Sequence, residues 1–218
     1  MTYMTQMEKI VEDYFNKNMH IKNAYVCGLV NRRALARRII EDEKTISKSQ
    51  FDAIIATLRR INIPNSSVVM KQNQILADFT ISIRDSITIA NVSRSFQTLK
   101  QIQQIFSNIP YEKNQIFKFV AGSDSAKIFI DTQNKKLIDK YIPKNDILYV
   151  KSNICEISLN YSESASSQKG IISYISASLF TNNIVLEEVL TCSPQLLLYV
   201  SQNDSLKVYE LLRRIQKR

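Results

Sequence analysis

The chain has 218 residues, enough for two small domains with cores of their own, and its 44% hydrophobic and 22% charged content is that of a folded chain. With 3 Gly and 4 Pro it excludes scaffolds built on glycine-rich loops, and no apolar run reaches the roughly 18 residues that span a membrane. The formal charge of +9 fits an anionic partner such as nucleic acid, or a solvated basic surface.

The positive excess is densest at the N-terminus, where residues 1–64 hold eleven Lys/Arg against seven Asp/Glu. Cys27, Cys155 and Cys192 are far apart and odd in number, which reads as buried thiols in a reducing cytoplasm. The opening MTYMTQMEKIVEDYF carries acidic residues at helical spacing and does not read as a signal peptide.

In chain order, Thr5 with Glu8 fits a capping box, and Met7, Ile10, Val11, Tyr14 and Phe15 recur at helical spacing behind it. A short helix is expected over Ile21 to Cys27, ending near Gly28. Asn31 suits the N-cap of a helix over residues 32–40, with Leu35, Ile39 and Ile40 on its apolar face. Ser47 and Gln50 form a second capping box, before Phe51, Ile54, Ile55, Leu58 and Ile61. The polar stretch from Asn62 to Ser67 breaks the pattern and sets the expected end of an all-α domain over 1–64.

The period then shortens. VVMK and ILADFTISI predict strands separated by Gln72-Asn73-Gln74, a possible wing, and SITIANV continues the β pattern. Next come a helix over Ser95 to Phe106, strands IFKFVAG and AKIFID, and a short helix over Lys135 to Tyr141. DILYV and ICEISLNY read as two strands, followed by a helix over Gln168–Phe180, strands IVLEEVL and QLLLYV, and a helix over Ser205–Ile215. Strand–helix–strand–strand–helix therefore occurs twice, near 85–141 and 153–216.

The stretch ALARRIIEDEKTISKSQFDAIIATLRRI supplies a supporting helix, a tight connection and a capped second helix. It resembles the helix-turn-helix of bacterial and archaeal regulators. The resemblance implies that Lys48, Ser49, Gln50, Thr57 and Arg60 face double-stranded DNA, with Ala53 and Ala56 between them. Lys48, Arg59 and Arg60 suit phosphates, and Arg32, Arg33, Arg37 and Arg38 suit the flanking backbone. Asp52 lies close to this face and opposes phosphate. A helical bundle with solvated arginines, or a protein-docking surface, uses the same residues differently.

In the tail, the run from Ser166 to Ile175 has a polar loop, Gly170 and two apolar residues opening a helix. Asn182 to Glu188 reads as a short turn and a buried strand, and QLLLYVSQNDSLKVYELLRRI as a closing strand and helix. The ordered set resembles ACT domains, and most of all the tandem ACT regions that regulate aspartokinases. That resemblance implies a small effector, often an amino acid, held by Ser164, Ser166, Ser167, Gln168, Gly170 and Ile171, with Asn182 and Asn183 facing the same cleft. Gly170 allows a tight turn, and the N–H groups after it suit a carboxylate. Two departures stand out. The acidic residue that often precedes this glycine is replaced by Gln168 or Lys169, and no strand follows Ile215; in tandem arrangements the other copy can lend one, and DILYVKS suits the part.

Catalytic and metal signatures are missing from the sequence. His20 lacks metal-ligand neighbours and suits a surface or capping role. Of Glu187 and Glu188, which point to opposite faces of a strand, one is expected to be buried or paired and the other solvated. The expected architecture is α+β: a helix-turn-helix-like head, a degenerate ACT-like unit over 68–150, and a second over 151–218, with antiparallel ferredoxin-like sheets. The expected function is a cytoplasmic, non-enzymatic, homodimeric transcription regulator without metal or cofactor, which senses a small molecule and does not contact membrane. A module acting on a partner protein or an amino-acid biosynthetic enzyme is the alternative.

Overall fold

A computed structural model of the chain describes residues 5–61, 63, 79–162 and 170–216. The chain divides into two compact units, Met1–Ser67 and Val68–Arg218. The strand and wing expected between 68 and 78 lie outside the described residues.

The first unit, the head, is helical: α1 (Gln6–Lys17), α2 (Met19–Val26), α3 (Arg32–Asp42) and α4 (Phe51–Arg60). Local chemistry fixes the ends. Thr5 N–H donates to Glu8 Oε2 (2.8 Å) and Glu8 N–H to Thr5 Oγ1 (3.3 Å), closing the capping box of α1. Gly28, at φ 74°, follows α2 in the left-handed conformation that glycine adopts without penalty. Asn31 Oδ1 accepts from the N–H groups of Arg33 and Ala34, and Gln50 Oε1 accepts from Ser47 N–H. The core gathers Val11, Tyr14 and Phe15 from α1, Leu35, Ala36 and Ile39 from α3, and Ile54, Ile55 and Leu58 from α4.

The second unit, the tail, carries β1 (Phe79–Ser93), α5 (Phe96–Ser107), β2 (Phe117–Ala121), β3 (Ser125–Asp131) and α6 (Lys135–Tyr141). The same order repeats as β4 (Ile147–Tyr161), α7 (Ile171–Thr181), β5 (Leu186–Cys192), β6 (Gln195–Ser201) and α8 (Ser205–Gln216). All six strands form one antiparallel sheet in the order β2-β3-β1-β4-β6-β5. The architecture is α+β, helices first and a ferredoxin-like antiparallel sheet after them.

DILYV and ICEISLNY are parts of one 15-residue strand, because Asn153 takes a left-handed φ of 59° and carries the chain across its polar middle. Ser86, at φ 57°, does the same in β1, and the β1–β4 register breaks beside both residues. Each long strand therefore serves two half-sheets. Residues 89–92 of β1 pair with 147–151 of β4 in the first half, and 79–84 pair with 156–161 in the second. DILYVKS thus closes the first repeat, and the strand lent to the second is Phe79–Arg84. The donor inferred from sequence was the wrong one.

The two half-sheets fold onto each other. Phe129 on β3 and Tyr199 on β6 lie three strand steps apart, about 14 Å in a flat sheet, yet their ring centroids are 4.6 Å apart. Ile87, Ile89, Ile154 and Leu197 join them in a buried cluster. Four ion pairs, Arg84–Asp131, Lys118–Glu156, Lys127–Glu188 and Lys151–Glu187, each tie one half-sheet to the other. Both Glu187 and Glu188 are therefore paired, contrary to the expectation that one is solvated, and the register shift between Leu186 and Glu188 interrupts the regular alternation of faces here. Glu156 is buried and also accepts from the Tyr199 hydroxyl (2.6 Å). On the outer faces, α5 and α6 cover Ala90, Val92, Ile128 and Ile130, while α7 and α8 cover Ile157, Leu159, Leu198 and Val200.

Of the cysteines, only Cys155 is buried; Cys27 and Cys192 are exposed, contrary to the reading of all three as buried thiols. Cys27 follows the last turn of α2, and Cys192 ends an outer strand of the sheet. Because Phe129 sits where the half-sheets meet, Phe129→Ala should cost about 3–5 kcal/mol, read as a lowered urea midpoint for tail unfolding.

Candidate functional site

In the tail, β4 ends at Tyr161 and α7 begins after Gly170, which holds φ 92° and ψ 0°. After that left-handed turn the first N–H groups of α7 have no partner within the helix. Tyr174 N–H already bonds Gly170 O (2.9 Å), so the helix is closed from its first turn. A small pocket of about 150 Å³ lies here, lined by Tyr161, Gly170, Ile171, Thr191, Ser193 and Gln195 among others. The Tyr161 ring packs on Phe79, and its hydroxyl is buried without a hydrogen-bond partner among the described residues. Burial pushes that phenol well above the usual tyrosine range.

Of the residues expected to hold an effector, Gly170 and Ile171 line this pocket. Ser164, Ser166, Ser167 and Gln168 lie outside the described residues. Asn182 and Asn183 do not face the same cleft. They close the opposite end of the 11-residue α7, about 16 Å away at 1.5 Å per residue. There Asn182 Nδ2 donates to Ser178 O, and Asn183, at φ 54°, turns the chain. Tyr161 and the β5–β6 turn were not picked out from sequence, because only strand pairing brings Gln195 beside Asn160. A tyrosine at the end of an apolar strand was the available signal.

In the head, Arg32, Arg33, Arg37, Arg38, Lys48, Ser49, Gln50, Arg59 and Arg60 are exposed. Thr57 is not: it is 1% exposed, packed on the core side of α4 between Ile54 and Leu58, so it cannot read bases. Arg38 Nε is committed to Asp42 (2.9 Å), which also accepts from the Tyr14 hydroxyl (2.8 Å). Burial and the Asp42 carboxylate push the Tyr14 phenol up to about 12. Gln50 spends its side-chain oxygen on the cap of Ser47. Half-buried Ile40 and Phe51 floor an open groove rimmed by Arg37, Lys48 and Glu41, and Asp52 is exposed nearby.

Among the described residues no group of His, Cys, Asp and Glu could hold a metal, and no helix is long and apolar enough to cross a membrane. His20 is exposed on α2.

No family model matches the sequence, and no curated protein matches it. Solved structures do match in fold. The aspartate kinase of Clostridium acetobutylicum aligns with 62% of this chain at a TM-score of 0.52 and 16% identity, and the match spans only 34% of that enzyme's length. A structure of aspartokinase alpha and beta subunits aligns with 65% of this chain and 100% of its own, at a TM-score of 0.51 and 11% identity. The regulatory subunit of aspartate kinase from Thermus flavus aligns with 64% of this chain and 98% of its own, at 0.50 and 6%. The chain thus shares its fold with these structures over about two thirds of its length.

Gly170→Ala should cost about 1–2 kcal/mol, the penalty for a side chain in the left-handed region, measured as a lower unfolding midpoint of the tail.

Proposed function

We propose that this chain is a non-enzymatic, effector-responsive regulator. Its ACT-like tail binds a small carboxylate-bearing molecule, an amino acid, at the Gly170 end of α7. The observation that carries this reading is a left-handed glycine and an open helix N-terminus in one pocket with Tyr161, whose buried hydroxyl has no partner among the described residues. The resemblance of the sequence from Ser166 to Ile215 to ACT domains supports an amino acid as the effector. Serines 164, 166 and 167 and Gln168 complete the site in this reading.

The basic head binds double-stranded DNA as a helix-turn-helix. Nine exposed polar and basic side chains, from Arg32 to Arg60, support it. The chain acts as a homodimer, and exposed Phe180, Val185 and Leu206 in the second half of the tail support such pairing. Effector binding then favours one spacing of the paired heads over another. A second reading, in which the head docks a protein, draws on the apolar floor of Ile40 and Phe51 between charged rims.

Screening free amino acids by thermal unfolding should reveal one that stabilises the chain, by about 2.7 kcal/mol at a hundredfold excess over Kd. Gly170→Ala should abolish that gain in the same assay; a screen in which no amino acid shifts the transition would sink the sensor reading.

For the head, fluorescence anisotropy with a mixed duplex should show log affinity falling steeply with log salt. Arg60→Ala should reduce the slope by about 0.9 if it neutralises one phosphate. Absence of binding near 50 mM salt would remove DNA and leave protein docking.

A further inference from the structure

A second polar cleft, of about 470 Å³, lies where β1 crosses from one half-sheet to the other, well away from Gly170. Arg84 pairs with Glu156 in the strand register, five residues from the Tyr161 end of β4, or about 17 Å along the strand. The cleft is lined by Arg84, Asp85, Ser86, Asp131, Thr132 and Gln133.

These groups are not all spent on the fold. Arg84 uses one terminal nitrogen, Nη1, for Asn114 O (2.9 Å) and Asp131 Oδ1 (3.4 Å). Among the described residues its Nε and Nη2 make no hydrogen bond, so most of the guanidinium fork remains open. Asp131 is occupied, since its other oxygen accepts from Ile116 N–H (2.6 Å). Asp85 is exposed and makes no hydrogen bond or ion pair among the described residues. The cleft therefore presents an open guanidinium and an open carboxylate on adjacent residues.

The internal repeat provides a control. Ser86 and Asn153 are the matching left-handed residues, and Phe129 and Tyr199 the matching rings of β3 and β6. By that correspondence Arg84, Asp85, Asp131, Thr132 and Gln133 match Lys151, Ser152, Ser201, Gln202 and Asn203. The second copy makes the same strand, 3-10 turn and helix, with turns at Thr132–Asn134 and Gln202–Asp204. It does so without a carboxylate at the positions of Asp85 and Asp131, and its Lys151 is taken by Glu187 (2.6 Å). The fold does not require the charges of the first copy.

We propose that this cleft is a second effector site, selective for a small zwitterion of the α-amino-acid type. The ligand carboxylate lies on the open edge of the Arg84 guanidinium, and its ammonium group on Asp85. Thr132 and Gln133 face the remainder. Arg84 and Asp85 lead into one half-sheet, while Asp131 to Gln133 end a strand of the other, so an occupied site ties the two halves together. This inference stands independently of the Gly170 reading.

Calorimetric titration of the full chain tests it, using free α-amino acids alongside amine and hydroxy-acid analogues that each lack one charge. An amino acid should bind while both analogues fail. Asp85→Asn, a substitution at an exposed residue with no hydrogen-bond or ion-pair partner to lose among the described residues, should weaken that binding event at least about tenfold, the scale of a charged hydrogen bond. Gly170→Ala should leave it unchanged. Arg84→Met should abolish it, with unfolding midpoints confirming that the variant is folded. The proposal is overturned if no amino acid binds, if an analogue binds as well as the zwitterion, or if Asp85→Asn leaves affinity unaltered. A binding event removed by Gly170→Ala and untouched by Asp85→Asn assigns the effector to the α7 pocket alone.

Discussion

Because Ser86 and Asn153 tolerate left-handed backbone in the middle of long strands, β1 and β4 can each leave one half-sheet and enter the other. The rest of the tail depends on that bend. It brings Phe129 against Tyr199, buries Ile87 with Ile154, and places four lysine or arginine side chains opposite four carboxylates across the fold. A flat six-stranded sheet with four helices on one face would leave those apolar residues in water. Folding it over buries a second face without a second layer of helices.

The head and the tail balance polar groups differently. In the head the cations are mostly at the surface, where ion pairs such as Lys17–Glu43 contribute little. In the tail, Glu156 sits in an apolar layer and is tolerated because Lys118 and the Tyr199 hydroxyl both reach it. The matching position in the first copy, three residues after the left-handed turn, is Ile89. The two halves therefore differ in chemistry while sharing a path, as they also do at the cleft beside Arg84.

Much of this was legible in the sequence where the physics is local. The boxes at Thr5–Glu8 and Ser47–Gln50 and the cap at Asn31 need only neighbouring residues, and they appear as read. The order of strands and helices in the tail follows from periodicity, and Gly170 stands at the turn its lack of a side chain suggests. What was misread depends on contacts between distant segments. Thr57 looks like a surface residue on a helical wheel, but α4 buries a wider stripe than its large apolar residues mark. Glu187 and Glu188 should part to opposite faces with one solvated, yet both are paired where a register shift interrupts the alternation. The polar dipeptides Asp85-Ser86 and Ser152-Asn153 look like strand ends because a left-handed residue inside a strand leaves no periodic trace. Tyr161 entered the pocket unannounced for a related reason: its neighbours arrive from another hairpin.

The exchange of closing strands between the repeats bears on how the tail forms. Phe79 must find Tyr161, and Ile147 must find Val92, before either half-sheet has its full set of partners. These contacts join residues far apart in sequence, so the chain entropy of closing a long loop is spent before the reward of a completed sheet arrives. Neither repeat completes its half-sheet alone. The duplication that looks modular in the sequence is joined in three dimensions through its two longest strands, each of which belongs to both halves.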